Sequence, residues 1–291
     1  MKTLSIEGTA MDSLLPDLTP VEQASLLAVR LRALDARSAT PILDDRVAER
    51  TADAAGLDLT RPTIPRSAVL VHAVRAKTLD DAVREFVARH PDAVVVDLGC
   101  GLDARRQRCA PGPGVDWYCV DLPAVIRLRA KVLPDDAHRV PADVTSPDWL
   151  QNLPRDRPTI AVTDGLMAFL AGDAFVELAR AITNHFTGGE FTFNAYSRLA
   201  MRNSRRMGAL GGRAVGASGS TRAPTLGDGI DDPREPEAWN ARLALIEELS
   251  MARAPEVALF PPVWRTISRI SARSARMIRA GDRVVRYRFP A

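Results

Sequence analysis

The sequence predicts an α/β protein built on a parallel, doubly wound sheet, with helices added before the sheet and a lid inserted late in the chain. Three observations predict this fold class. Short β-branched or aromatic runs alternate with segments of helical periodicity between residues 94 and 196. A Gly-X-Gly turn follows the first of those runs. Residues 202–237, rich in Gly, Ser, Arg, Pro and Asp, then interrupt the alternation.

Helices are predicted ahead of the sheet. Residues 19–36 begin with a threonine followed three positions later by Glu22, the pattern of a capping box, and continue with Leu and Val at helical spacing. A short helix is expected around Asp45 to Ala55, and a longer one from about Ser67 to Arg89. These segments together predict a helical N-terminal extension.

Strands and helices then follow in turn. VVVDL is short, continuous and β-branched, which is typical of a buried strand. The expected elements after it are strand 116–122, helix 123–133, short strand 138–144, strand 159–165, helix 172–186 and strand 188–196. After the interruption, structure is expected to resume at 241–250, with one helix near 261–280 and a final strand over 282–290.

We interpret the chain as a single domain, residues 1–291. Its parts are N-terminal helices at 1–90, a cofactor-binding core at 91–197, a lid or flexible insertion at 198–240 and the C-terminal completion of the sheet at 241–291.

Composition excludes several classes of protein. No run of about 18 apolar residues occurs, so we expect no membrane partner, and the first residues lack the apolar stretch of a secretory signal. Three cysteines without a CxxC pair favour a reducing compartment over a disulfide framework or a zinc site. We therefore expect a cytoplasmic protein with no metal site.

The basic pI of about 9.0 invites a nucleic-acid interpretation. The formal net charge is only +3, however, and the chain has just three lysines, with arginines spread along its length. Such a distribution creates no strong field for phosphates, so we expect no nucleic-acid partner.

The turn Gly99-Cys-Gly101 lets a ligand approach the backbone closely. A dinucleotide fingerprint would need a third glycine where Ala104 stands. Asp97, at the end of the strand, suits an ammonium or sulfonium group better than a pyrophosphate. The turn therefore favours S-adenosylmethionine over NAD(P), with a tight turn that holds no ligand as the alternative.

Acids end the later strands, where a doubly wound sheet binds its ligands. Asp121 lies 20 residues after Gly101 and could accept both ribose hydroxyls of an adenosine. Asp143 could contact the adenine amino group or cap a turn. Asp164 could lie near the methionine end of the cofactor or serve as a cap.

The third helix carries a cation within an apolar stripe. Its face contains Val71, His72, Arg75, Leu79, Ala82 and Phe86. A guanidinium there is costly unless it is paired. The cofactor carboxylate, held in a bidentate fork, would pair it; an acid elsewhere or exposure to water are the alternatives.

The sequence identifies no catalytic residue. His72 is one turn from Arg75 and could approach the site as a base, although a packed core histidine is the simpler interpretation. Tyr196, just after a predicted strand, could line the acceptor pocket or serve only in packing. His72 and Tyr196 are therefore candidate substrate-binding residues.

These pieces together resemble the leucine carboxyl methyltransferase-like family, which includes protein phosphatase methyltransferases and bacterial O-methyltransferases of polyketide pathways. The matching segments are PILDDRVAER, the Arg75 helix, VVVDLGCGLDARR, YCVDLP, ADV, TDGLMAFL, DDPREPEAWN and VVRYRF. They cover about residues 35 to 289, and their order is much more specific than any single motif.

The resemblance implies a class I methyltransferase fold, Rossmann-like, with N-terminal helices and a lid over the acceptor. It matches Arg75 to the arginine that binds the cofactor carboxylate and Gly99 to the glycine of the cofactor loop. It matches Asp121, with Leu122 beside it, to the ribose site, and Asp143 with Val144 to the adenine contacts.

Three positions depart from the family pattern. Ala104 stands where a threonine is usual, Asp164 where a glutamate is common, and Phe169 where a tyrosine usually precedes the leucine. These departures concern the details of the pocket and the acceptor.

The sequence thus predicts an S-adenosylmethionine-dependent O-methyltransferase. The expected partner is a small-molecule acceptor with a carboxylate or hydroxyl group, such as a polyketide-type secondary metabolite. One rival is an NAD(P)-dependent Rossmann oxidoreductase, which the absence of a Tyr-x-x-x-Lys pair disfavours. Another is an S-adenosylmethionine-binding protein without catalysis.

Overall fold

Three helices precede the sheet in the computed structural model, which describes residues 19–60, 63–133, 135–203 and 227–290. They are α1 (Pro20–Ala36), α2 (Arg46–Ala54) and α3 (Arg66–Arg89). Thr19 and Glu22 form the predicted capping box, and the Asp45 side chain accepts the Ala48 N–H at the start of α2. The predicted helical extension is confirmed.

One sheet of seven strands lies at the centre of the described residues, in the order β3-β2-β1-β4-β5-β7-β6. The strands are β1 (Val94–Leu98), β2 (Asp116–Asp121), β3 (His138–Pro141), β4 (Thr159–Thr163), β5 (Gly189–Ala195), β6 (Ala244–Ser250) and β7 (Arg283–Phe289). The first five are mutually parallel. The order reverses at β1, where β2 and β4 diverge, and this opens a crevice at the carboxyl ends of the strands.

The connecting helices are short. They are α4 (Arg105–Cys109), α5 (Pro123–Val132) and α6 (Ala174–His185), with 3-10 helices at Pro147–Asn152, Leu166–Phe169, Glu235–Ala238, Met251–Arg253 and Pro255–Leu259. Apolar side chains of the central strands alternate between two core layers. Val94 and Val96 pack toward α6, whereas Val95 packs toward α3.

The C-terminal part corrects two expectations. The sheet is not wholly parallel, because β7 runs antiparallel to both β5 and β6. The single helix expected near 261–280 is two helices, α7 (Pro262–Ser271) and α8 (Ala275–Ala280). The second begins at a new cap, since the Ser274 side chain accepts the Met277 N–H.

The segment 241–250 contains the strand β6. Its register shifts between Leu245 and Glu247, so its side chains do not alternate cleanly between buried and exposed. This irregularity hides the period of two that would identify a strand in the sequence.

The predicted lid falls largely on residues 204–226, which lie outside the described residues. On either side of them, residues 198–203 are helical and residues 227–234 lead into the 3-10 helix at Glu235–Ala238. Within the described ranges, no helix is long and apolar enough to cross a membrane.

Candidate cofactor site

A cavity of about 280 Å³ lies at the carboxyl ends of β1, β2 and β4, beneath α1. Its lining includes Ser25, Arg32, His72, Arg75, Gly99, Gly101, Asp121, Leu122, Asp164, Leu166, Phe169 and Tyr196. A second cavity, of about 390 Å³, shares Gly99, Asp121 and Leu122 with the first and extends to Asp143 and Val144. The two cavities together bring most of the predicted site residues to one crevice.

The glycine turn between β1 and α4 has a backbone that other residues rarely adopt. Gly99 and Gly101 have φ angles of +60° and +51°. A Cβ atom on Gly99 would lie 3.1 Å from Leu166 Cδ1, and one on Gly101 would lie 3.1 Å from Ser25 Cβ. Conformation and space therefore both favour glycine where the backbone meets the cavity.

Asp121 joins the end of β2 to this turn. Its Oδ2 accepts the Gly101 N–H and its Oδ1 accepts the Leu122 N–H, each at 2.7 Å. Burial raises the pKa of Asp121, while these backbone hydrogen bonds act against the rise. Each carboxylate oxygen can accept a further hydrogen bond, so Asp121 fits a pair of ribose hydroxyls.

Arg75 of α3 is surrounded by partners at the other end of the first cavity. Its Nε lies 2.6 Å from Asp164 Oδ1, and its Nη2 donates to His72 Nδ1 at 3.0 Å. Its Nη1 donates to the Tyr196 hydroxyl at 3.1 Å and to Asp282 Oδ2 at 3.4 Å. Burial opposes the charge of Arg75, but the neighbouring carboxylates raise its pKa.

The open bidentate fork expected of Arg75 is therefore not present, because the alternative pairing with acids occurs. A guanidinium buried this deeply needs a counter-charge in the folded protein, and Asp164 and Asp282 supply it.

Asp164 lies at the end of β4 and lines the cavity. Burial acts to raise its pKa, but Arg75 lowers the pKa below its usual value. Among the described residues, no hydrogen-bond donor satisfies either of its buried carboxylate oxygens, although Oδ1 lies within ion-pair distance of Arg75 Nε. An ionised oxygen beside a cavity fits an ammonium group, and this observation best matches the site to the amino-acid end of S-adenosylmethionine.

His72 lines the cavity as a neutral ring. Burial and the charge of Arg75 lower its pKa to about 3, so the ring is neutral. Arginine can only donate, so Nδ1 accepts from Arg75 and the proton resides on Nε2. This arrangement favours an N–H donor at Nε2 over the base role considered for His72.

Tyr196 lies beyond the end of β5 and also lines the cavity. Burial raises the pKa of its phenol, which accepts a hydrogen bond from Arg75. Its predicted contact with the acceptor stays a prediction.

Asp97 does not take the position expected of it. Its Oδ1 lies 2.7 Å from Arg105 Nη1, and both side chains are buried beneath the turn. Successive strand residues point to opposite faces, and Asp97 shares the face of Val95 toward α3. Arg105 rather than Asp97 lines the cavity, so the proposed contact between Asp97 and an ammonium group is not supported.

Asp143 and Val144 line the second cavity. Asp143 Oδ1 accepts from the Thr145 N–H at 2.9 Å and from its hydroxyl at 2.8 Å. This is the turn-capping arrangement that the sequence left open as the alternative. The contact of both residues with adenine remains a prediction.

Several residues that line the cavity were not predicted from the sequence. Glu22, Ser25 and Arg32 bring α1 over the cavity. Arg32 is buried and lies 3.5 Å from both Asp45 and Asp103. Arg32 lies among apolar residues of α1, and this is the same sequence pattern that predicted a buried, paired guanidinium at Arg75.

Comparison with known proteins agrees with this geometry. Residues 25–183 match the family profile described as Leucine carboxyl methyltransferase. The chain is 35% identical over 274 residues to the tetracenomycin polyketide synthesis O-methyltransferase TcmP of Streptomyces glaucescens, covering 94% of this chain and 98% of the relative. It is 34% identical over 212 residues to the S-adenosyl-L-methionine-dependent methyltransferase dpfgK of Gibberella zeae, covering 65% and 71%.

A solved structure shows the same fold. The crystal structure of a Thermobifida fusca protein assigned to the methyltransferases matches with a TM-score of 0.51 at 17% identity, over 90% of this chain and 94% of that one. The fold is thus that of a class I methyltransferase, and the predicted enzyme class and cofactor are confirmed by the relatives. The chain belongs to the leucine carboxyl methyltransferase family of S-adenosylmethionine-dependent methyltransferases.

Proposed function

We propose that this methyltransferase acts on the carboxylate of a small, polyketide-type molecule and forms a methyl ester. The observation that carries the proposal is the state of His72, whose Nδ1 is occupied by Arg75 and whose pKa is about 3. A phenol acceptor, with a pKa of about 10, would need a base to become nucleophilic at neutral pH. A carboxylate is already ionised and needs none.

In this proposal, different residues of the crevice bind different parts of the cofactor. Asp121 holds the ribose hydroxyls, Asp164 takes the ammonium group and Arg75 takes the carboxylate. Asp143 and Val144 border the adenine. When bound, S-adenosylmethionine supplies a methyl group already activated by its sulfonium, so the protein mainly orients the acceptor and excludes water.

The acceptor side is formed by apolar walls with few polar groups. Leu27, Leu31 and Phe169 line the first cavity together with Tyr196 and His72. The Nε2–H of His72 has no partner among the described residues and is suited to orient an acceptor oxygen. An aromatic, polyketide-type acid fits this chemistry, and the Streptomyces relative is named as an O-methyltransferase of polyketide synthesis.

The wider assignment follows the same proposal. We propose one methyltransferase domain over 1–291, working in the cytoplasm on a free small molecule without nucleic acid, membrane or metal. A non-catalytic cofactor-binding protein is the alternative that turnover on any acceptor excludes.

The test is transfer of a labelled methyl group to matched acceptors. An anthraquinone carboxylate and the corresponding hydroxyanthraquinone share the ring and differ in the reacting group. We expect label only in the carboxylate, as an ester that mild alkali releases as methanol. Alkali-stable label in the hydroxy compound would show an ether and contradict the carboxylate assignment.

A further inference from the structure

Asp282 reaches Arg75 from a part of the chain that no motif connects with the site. It lies between α8 and β7, and β7 pairs antiparallel with β5 so that Arg283 faces Ala195. This pairing brings Asp282 to the carboxyl end of β5, where its Oδ2 lies 3.4 Å from Arg75 Nη1.

An incoming carboxylate would find a partner beside each nitrogen of Arg75, although Nε makes an ion-pair contact and no hydrogen bond. Nε faces Asp164, Nη1 is shared by Tyr196 and Asp282, and Nη2 donates to His72. A two-pronged contact with the cofactor carboxylate therefore requires that one partner give way.

Asp282 is the partner best placed to do so. Its contact with Arg75 is the longest of the four, at 3.4 Å against 2.6 Å for Asp164. Its side chain is 22% exposed, whereas that of Asp164 is 9% exposed, so water can solvate Asp282 when it leaves. Its backbone stays anchored, since the Asp282 carbonyl accepts the Met251 N–H at 3.1 Å.

We propose that Asp282 is a resident carboxylate that neutralises Arg75 before the cofactor binds and that the carboxylate of the cofactor displaces. The inference rests on the proposed placement of the cofactor carboxylate at Arg75. Substrate and product cofactors carry the same carboxylate, so Asp282 competes with both. The apparent dissociation constant of each is therefore raised by the reciprocal of the fraction of time that Arg75 is free of Asp282.

Displacement also changes the charge around Asp282. The groups that face it are Arg75 from α3, Asp164 from the end of β4 and Tyr196 from the end of β5. Burial already raises the pKa of Asp282, and Arg75 holds it down. Once the cofactor carboxylate engages Arg75, Asp282 exchanges the guanidinium for water as its partner.

Calorimetric titration of the whole protein tests the proposal with two ligands. S-adenosylhomocysteine has the carboxylate, and decarboxylated S-adenosylhomocysteine differs from it only in lacking that group. Asp282→Asn should tighten S-adenosylhomocysteine about three- to tenfold and leave the decarboxylated ligand unchanged. Glu248→Gln, which removes a carboxylate from the neighbouring Arg283, is the matched control and should change neither affinity.

Two results would overturn the inference. If Asp282→Asn bound both ligands more weakly, Asp282 would hold Arg75 in its binding position. If it bound both ligands more tightly by the same factor, the effect would not depend on the cofactor carboxylate.

The cofactor placement has its own control. Unchanged binding of S-adenosylhomocysteine to Arg75→Ala would refute that placement itself, separately from the role of Asp282.

Discussion

The carboxylate of Asp121 accepts the N–H of Gly101 at 2.7 Å, and this bond ties the acid at the end of β2 to the glycine turn after β1. Turn and acid therefore form one unit, in which the same oxygen that orders the loop can face a ribose hydroxyl. Leu122 N–H completes the unit by holding the second oxygen.

Replacing Asp121 with Asn should weaken cofactor binding ten- to hundredfold. The amide oxygen can still accept one backbone N–H, but the amide nitrogen cannot accept the other, and a charged acceptor is lost, which is worth about 1–3 kcal/mol. Calorimetric titration with S-adenosylhomocysteine measures the loss. Asp116→Asn, at the other end of β2 and partnered by Arg157, should bind normally.

Arg75→Ala should weaken S-adenosylhomocysteine binding by at least about thirtyfold, since a buried charge pair contributes about 2–5 kcal/mol when one partner is removed. The change also leaves Asp164 and Asp282 without their cation, so the melting temperature should fall. Arg89→Ala is the control on the same helix, because Arg89 pairs with Glu190 far from the cavity. If both variants lose affinity equally, the effect of Arg75 is not local.

Gly99→Ala and Gly172→Ala separate strain from ligand contact. Both glycines have positive φ angles, +60° and +55°, so alanine should cost each variant about 1–3 kcal/mol of stability. A Cβ meets Leu166 at Gly99 and nothing within 4 Å at Gly172. Denaturant unfolding should therefore show both losses, whereas cofactor affinity should fall for Gly99→Ala alone. If Gly99→Ala bound the cofactor with wild-type affinity, the glycine turn would not be part of the cofactor site.

His72 should make the protein less stable in mild acid. Its pKa is about 3 in the folded protein, against 6.5 for an unperturbed histidine, so the unfolded chain binds more protons between these two pH values. The free energy of unfolding therefore decreases as the pH is lowered, and this group contributes about 1.4 kcal/mol per pH unit to the decrease. The amide oxygen of His72→Asn can accept the hydrogen bond from Arg75. Between about pH 6.5 and about pH 5, the free energy of unfolding of this variant should fall by about 1–2 kcal/mol less than that of the wild type. Parallel stability curves would show that His72 titrates normally.

The parts of the fold that were predictable have local signals. The capping box at Thr19 and Glu22 and the valine run of β1 depend on neighbours in sequence, and the structure has those elements where they were expected. The Gly-X-Gly turn and Asp121 were also predictable, because strand order alone brings them to one edge.

The remaining features depend on contacts across the fold. Asp97 and Arg105 are close in sequence, but only the face of β1 on which Asp97 lies decides that they pair. Asp282 lies 207 positions from Arg75, and an antiparallel strand brings the two together. No periodicity or spacing in the sequence encodes that contact.

A crystal structure of the protein with S-adenosylhomocysteine would show the cofactor placement directly. The ligand should lie in the joined cavities, with its ribose hydroxyls on Asp121, its ammonium on Asp164 and its carboxylate on Arg75. A ligand bound elsewhere, or bound in this crevice with its carboxylate away from Arg75, would contradict this placement.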